Sequence, residues 1–266
     1  MAYHLLYSLY LRLTSLPEYS ILLLGLDGAG KTTLHNQIKA LYTTEIDAAT
    51  SNPGRTVPTV GQNVSVVTLK DMYLRIWDVG GQHSLRKLWQ SYYKSAHAIV
   101  FVIDSTDVGD ADVSRLGPSS SSTAGGEKEG DAGGDASAGG GGGGTPAKPK
   151  VQRSFSTMVS ALQDEEADGR LNECRLVLED VLAHSEAEGV PLLVLANKQD
   201  REDCVEVVRI KEGFVRKVME GERGGSVRDS RVLPVAALTG TGVKEAVDWL
   251  CSRVKWNKEA RPPVMR

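Results

Sequence analysis

Residues 19–33 read YSILLLGLDGAGKTT, and the order of events within them decides the fold. The run SILLLG is apolar almost throughout, as in a strand buried on both faces of a parallel sheet. Glycines follow at 25, 28 and 30, then Lys31 and Thr32, then a segment of helical period carrying Leu34, Ile38 and Leu41 on one face. Strand, glycine-rich loop and helix are the context that gives a G-x-x-x-x-G-K-[ST] match its meaning as a phosphate-binding loop. The glycines let the backbone of Gly25, Leu26, Asp27, Gly28, Ala29 and Gly30 curl so that successive N–H groups point inward at phosphate oxygens. The helix opening at Lys31 adds the positive end of its dipole. Lys31 is placed to reach the β- and γ-phosphates, and the hydroxyl of Thr32, followed by Thr33, to ligate Mg²⁺. This much says nucleotide, without saying which one.

Working outward, similar apolar runs stand at AHAIVFVID (96–104), VPLLVLAN (190–197) and RVLPVAA (231–237). Between them lie helical faces: Leu171, Val177, Leu178 and Val181 in one, and Val243, Ala246, Val247, Leu250 and Val254 in another. The strands NVSVVTL and MYLRIWD are joined by a Lys70–Asp71 turn and predict an antiparallel hairpin. Together these predict an α/β fold, a six-stranded, mostly parallel sheet with helices on both faces and ligands beyond the carboxyl ends of the strands.

The stretch ANKQD (196–200) ends one of those strands. A carboxylate at Asp200 can accept the ring N–H and the exocyclic amine of guanine; adenine offers neither donor there, and the unpaired carboxylate would be penalised. The Lys198 stem lies along the base and Asn197 braces the loops. AALTGTG (236–242) follows another strand, and the Ala237 N–H is placed to meet the guanine carbonyl. In WDVGGQ (77–82), Asp78 fits a role holding a Mg²⁺-bound water, Gly81 can offer its N–H to a γ-phosphate, and Gln82 can orient an attacking water. Thr59, in VPTVGQN, can complete the Mg²⁺ shell while the γ-phosphate is present. Two loops that order around one phosphate make a switch.

GLDGAGKTT, VPTVGQNV, WDVGGQ, LWQSYY, FVIDSTD and VLANKQD together resemble the ADP-ribosylation factor family of small GTPases, over nearly all of the chain outside one insert. The resemblance implies the P-loop small GTPase fold, GTP and GDP as substrate and product, Mg²⁺, and slow hydrolysis through Gln82 and Lys31. No arginine is recognisable in cis, so a GTPase-activating protein is expected to supply one and an exchange factor to reload GTP. The start and the ARPPVMR ending resemble a Golgi-associated branch of factor-related members. That implies the cytoplasmic face of the Golgi, a membrane lipid surface, a Golgi membrane receptor, and a downstream Arf-like GTPase or tethering effectors in vesicle-mediated transport. Two alternatives stay open: a nucleotide-bound adaptor with negligible hydrolysis, and a secretion-associated coat-assembly GTPase. The latter branch typically has histidine where Gln82 stands.

Residues 1–16 open with MAYHLLYSLYLRLTS. On a helix His4, Ser8 and Arg12 form a narrow polar stripe, apolar residues cover the rest, and Pro17 ends it. The resemblance implies that this helix docks on the hairpin with GDP and is released to the membrane with GTP. Ala2 excludes N-myristoylation, so methionine removal and acetylation are expected instead. Gln62 stands where classical members carry phenylalanine in an effector patch with the equivalents of Trp77 and Tyr92.

The GTPase domain is read as 17–107 and 166–258, with a tail over 259–266. Residues 108–165 are read as a largely disordered insert: Ser, Gly and Ala dominate 108–150, while VQRSFSTMVSALQDEEADG after it regains some apolar residues and is expected to form a weak helix. Such a loop insertion costs only ~0.6 kcal/mol per doubling of length. A formal net charge of -3 gives no sign of nucleic acid as a partner. Three scattered cysteines argue for a reducing compartment without structural zinc.

Overall fold

A computed structural model describes residues 15–42, 58–107, 170–220 and 229–266. The expected helix over 1–16, apart from its last two residues, and the expected insert over 108–165 lie outside the described residues.

The apolar run of the opening motif is β1 (Pro17–Leu24), in the middle of the sheet. It leads into helix α1 (Lys31–Tyr42). The hairpin follows as β2 (Gln62–Thr68) and β3 (Tyr73–Val79), antiparallel, with the Leu69 N–H donating to the Met72 carbonyl across the Lys70–Asp71 turn (2.9 Å). A 3₁₀ turn over His83–Leu88 and the short helix α2 (Gln90–Tyr93) carry the chain to β4 (Ala98–Asp104). Then come α3 (Leu171–Ala183) and β5 (Leu192–Asn197). The next helical stretch is irregular: α4 (Val207–Arg209), a π-helical turn over Ile210–Val215, and α5 (Arg216–Glu220). It is followed by β6 (Ser230–Pro234) and α6 (Val243–Trp256). The strand order is β2-β3-β1-β4-β5-β6, parallel except for β2.

Period-two alternation divides the apolar strands between two cores. Leu22, Leu24, Phe101, Ile103, Val194 and Ala196 face one way and join Leu171, Cys174, Leu178 and Val181 of α3 with Ile210 and Phe214. Ile21, Leu23, Val100, Val102, Leu193 and Leu195 face the other and join Leu34 and Ile38 of α1 with Val243, Val247, Leu250 and Val254 of α6. Each Val, Leu, Ile or Phe side chain among these, fully buried, contributes roughly 1.5–3 kcal/mol. Two positions depart from the helical faces read in the sequence. Leu41 is exposed in the last turn of α1, beyond the reach of the sheet, and Val177 is only half-buried.

A seventh strand, β7 (Val264–Met265), was not expected. It comes from the segment read as a tail and pairs antiparallel with Pro17 and Glu18, the part of β1 that β4 leaves free. Glu18 is buried there and accepts from Arg75 (2.7 Å) and from the last residue, Arg266 (3.0 Å), whose guanidinium also lies over the Tyr73 ring. Arg261 donates to the carbonyls of Tyr93, Lys94 and Glu186. These charge-assisted bonds tie the chain's end down.

The parallel arrangement brings the carboxyl ends of β1, β3, β4 and β5 to one edge. The helices that follow β1 and β4 pack on opposite faces of the sheet, and the crevice at such a point is where these sheets hold ligands.

His35, in α1, is fully buried and faces β2, with its ring nitrogens beside the Ser65 hydroxyl and the Asn63 amide. Burial, with the charge of Lys39, pushes its pKa down to about 4. Between pH 6.5 and 4 the unfolded chain therefore binds the proton and the folded chain does not, so stability is fully present above pH 6.5 and falls as pH drops toward 4. His35→Asn should lose stability less steeply than the parent chain across this window, as read from urea midpoints at pH 7 and 4.5.

Candidate functional site: a phosphate cradle and a base pocket

The loop after β1 closes on itself through backbone contacts. Gly25 has φ +135°, and a Cβ there would come 2.2 Å from the Val102 carbonyl of β4, so only glycine lets the loop leave the sheet at this point. Lys31 is buried under the loop, its Nζ donating to the carbonyls of Gly25 (2.9 Å) and Leu26 (2.7 Å). Burial pushes its pKa down to about 8 against the opposing pull of Asp78 and Asp27.

Beside the lysine three oxygens converge. Thr32 donates its hydroxyl proton to Asp78 Oδ2 (2.7 Å), so the 2.7 Å contact between the Thr32 and Thr59 hydroxyls has Thr59 as donor. Asp78 is fully buried, which raises its pKa despite the Thr32 bond and the Lys31 charge, and its Oδ1 has no protein partner. Hard oxygen donors with one orphaned carboxylate oxygen fit a small divalent cation that takes one carboxylate and fills its other positions from substrate phosphates and water. Among the described residues no group of three or more His, Cys, Asp and Glu exists that could hold a metal unaided.

Gly81 packs on the cradle; a Cβ there would lie 2.5 Å from Asp27 N and the Gly25 carbonyl. The Trp89 indole N–H donates to the Gly80 carbonyl (3.1 Å). Because a trans peptide points its C=O and N–H in opposite directions, that bond turns the Gly81 N–H away from Trp89. Gln82 follows, half-buried, at the entry to the His83–Leu88 turn.

At the far end, Asn197 is buried and works with both ends of its amide. Its Nδ2 donates to the Ala29 carbonyl of the cradle (2.7 Å), and its Oδ1 accepts from the Ala237 N–H (3.0 Å). The N–H that sequence reasoning assigned to the guanine carbonyl thus has a protein partner, because the asparagine oxygen sits directly before it. Lys198 has φ 66°, strained for a residue with a side chain, and its ammonium pairs with Asp104 Oδ2. Asp104 is itself fixed by the Thr106 N–H and hydroxyl on Oδ1.

These parts line one cavity of about 570 Å³, within the range of small-ligand sites. Asp27, Gly28, Gly30, Lys31, Thr32 and Thr33 form its middle, Thr59, Gly81 and Gln82 one end, and Asn197, Lys198, Asp200 and Ala237 the other. Gly25, Leu26, Ala29 and Asp78 stand behind the wall. Trp77 and Tyr92, the aromatics read as part of an effector patch, are partly buried on the core with their rings 5.3 Å apart, and the Tyr92 hydroxyl bonds the Gln62 side chain.

Sequence reasoning missed the arginines. Arg170, at the start of α3, donates to Asp27 O (3.1 Å) and Asp27 Oδ1 (2.5 Å) from outside the cradle. It does not line the cavity, whereas Arg201 does, beside Asp200 and paired with Asp203, so the expectation of no arginine in cis is corrected to one at the base end of the cavity and others behind the loop. A sequence separation of 143 residues from Asp27 hides it. Asp104, at the end of β4, had a legible signal in its strand-terminal position.

The sequence profile described as "Arf: ADP-ribosylation factor family" matches residues 6–117 and 153–254. The chain belongs to this family. It is 37% identical to ADP-ribosylation factor-like protein 3 of Saccharomyces cerevisiae, over 99% of this chain and 100% of that protein. To human ADP-ribosylation factor-related protein 1 it is 31% identical, over 99% and 98%. Among solved structures it resembles the Arl6 BBS3 small GTPase of Trypanosoma brucei, determined with the analogue GppNp. The TM-score is 0.55 at 21% identity, covering 90% of this chain and 98% of that one, a likeness of fold alone. Arf-family small GTPases are GTP hydrolases, and membership makes this chain a GTP-binding switch.

Lys31 yields a direct check on the cradle. Its folded pKa lies below the unfolded value, so the protein without nucleotide gains stability as pH rises from about 8 toward 10.5. A bound diphosphate or triphosphate holds the ammonium charged, so binding above pH 8 takes up one proton. Affinity for GDP should fall about tenfold per pH unit there, and titration calorimetry in two buffers of different ionisation enthalpy should register the uptake.

Proposed function

We propose that this Arf-family protein hydrolyses GTP to GDP and phosphate, slowly when alone, with Gln82 and Lys31 as the catalytic residues and Thr32, Thr59 and Asp78 serving Mg²⁺. The observation that carries this is the convergence of the Thr32, Thr59 and Asp78 oxygens: the two threonines line one cavity with Gln82 and the cradle, and Asp78, directly behind that wall, keeps Oδ1 unpartnered. Lys31 supplies a positive charge where the β- and γ-phosphates would lie, and the loop's N–H groups add donors there. Gln82 orients the attacking water. A bound Mg²⁺ supplies charge neutralisation for the phosphate oxygens.

Exchange factors and GTPase-activating proteins complete the cycle. The activating protein contributes the arginine, because Arg170 is engaged on the far side of the cradle. In the GTP state the protein associates with the cytoplasmic face of the Golgi and engages effectors for vesicle-mediated transport, a downstream Arf-like GTPase or a tether among them. The sequence of residues 1–16 supports the membrane part of this reading: a broad apolar face with one polar stripe, giving reversible interfacial binding that a receptor strengthens. Among the described residues no helix is long and apolar enough to cross a membrane.

Gln82→Leu should keep nucleotide affinity while single-turnover GTP hydrolysis falls on the order of a hundredfold. An unchanged rate would favour an adaptor whose glutamine takes no part in hydrolysis. Liposome co-sedimentation should pellet the protein loaded with a non-hydrolysable GTP analogue and not the GDP form, nor a chain lacking Ala2 to Ser15. Equal pelleting of both nucleotide states would make the segment a constitutive anchor.

A further inference from the structure

Behind the cradle, on the side away from the cavity, two arginines share one carboxylate. Arg170 holds the phosphate loop through the Asp27 carbonyl and carboxylate, and its Nε donates to Glu173 Oε2 (3.2 Å). Arg86, in the His83–Leu88 turn, donates to Glu173 Oε1 (2.5 Å) with Nη2 and to the Gly81 carbonyl (3.1 Å) with Nε. The chain of contacts runs without a gap from Asp27 through Arg170, Glu173 and Arg86 to Gly81.

Both ends of this chain grip a backbone carbonyl in a segment that lines the cavity. A planar trans peptide fixes the consequence. With the Asp27 carbonyl drawn outward to Arg170, the Gly28 N–H of the same peptide is turned the opposite way, toward the cradle. With the Gly81 carbonyl drawn to Arg86, the Gln82 N–H is turned away from Arg86. Arg170 has a second effect. Asp27 places a carboxylate at the wall of a phosphate site, and pairing with the guanidinium offsets a charge that would repel the ligand. Burial would raise the Asp27 and Glu173 pKa values, yet both lie below the ordinary carboxylate range because their arginine partners outweigh it.

We infer that Glu173 is a positioning residue: by joining Arg170 to Arg86 it couples the phosphate loop to the Gly81–Gln82 segment, so that the two close on the triphosphate as a unit. This rests on the GTP-switch reading above. Glu173 touches no substrate and acts only through the two arginines. The coupling makes it cheaper for one segment to hold its orientation when the other already does, and it favours the triphosphate, the ligand that reaches Gly81. The strut is partly exposed, so salt screens it.

The test is the dissociation of fluorescent GDP and of a fluorescent non-hydrolysable GTP analogue from the full chain. The variants are Glu173→Gln, Arg86→Ala, Arg170→Ala and the double Arg86→Ala/Arg170→Ala. Arg175→Ala, which breaks the Arg175–Glu179 pair elsewhere on α3, is the control for simple helix destabilisation. Each single variant should release the analogue roughly three- to tenfold faster, with a smaller change for GDP. The double variant should be no faster than about the more affected single one, because residues acting through one network do not combine independently. Raising the salt should bring the parent chain toward the variants. The inference is overturned if the two arginine effects multiply, if GDP and the analogue are released faster by the same factor, or if Arg175→Ala behaves like Glu173→Gln. Glu173→Gln keeps the shape of the side chain and serves if an alanine variant does not fold. A parent chain that binds neither nucleotide would instead overturn the GTP-switch reading itself.

Discussion

The two-ended amide of Asn197 is the contact on which the site's integrity rests. One end holds the carbonyl of Ala29 in the phosphate loop and the other holds the N–H of Ala237 in the loop after β6. Gly30 sits against it so closely that a Cβ would come 2.3 Å from Nδ2. Three connections that are far apart in sequence are fixed to one buried group. A buried amide with both functions satisfied is rigid for the same reason that an unsatisfied one is costly: no water is at hand to replace a lost partner.

Around that point the site divides its labour. The cradle draws its shape from backbone: glycines that admit close approach at Gly25 and Gly81, and carbonyls held by Lys31 from beneath the loop and by Arg170, Arg86 and Trp89. Its charge comes from the few side chains buried beneath it. Lys31 and Asp78 are both taken out of water, and burial pushes each toward its neutral form.

The far end of the sheet serves a different purpose. Glu18 is buried at the start of β1, where Arg75 from β3 and Arg266 from the end of the chain meet on its carboxylate. The edge left free by β4 is covered by β7, so the centre of the sheet has no exposed backbone edge there. The first described residues and the last are thereby held together, with Leu16 and Arg266 exchanging backbone hydrogen bonds of 3.0 Å in each direction.

Much of this was legible in the sequence, for a physical reason. Apolar runs, glycine spacing and a lysine–threonine pair at a helix start are local patterns, and local patterns specify strand, turn and helix whatever the remainder of the chain does. That is why β1, the phosphate loop, α1 and the β2–β3 hairpin could be read directly. The same logic placed Asn197, Lys198 and Asp200 at a strand end. What the sequence could not convey is which distant groups meet. Arg170 reaches Asp27 across 143 positions, Arg266 reaches Glu18 across 248, and Ala237 gives its N–H to Asn197. No periodicity encodes such pairs, because long flexible side chains and loop backbones find their partners only after the sheet order has set which strand ends are neighbours. The sequence alone determined the family of fold and the chemistry of its cradle. Only the tertiary structure decided how the cradle is held, since that depends on contacts whose entropy of closure is met by the packing of the whole core.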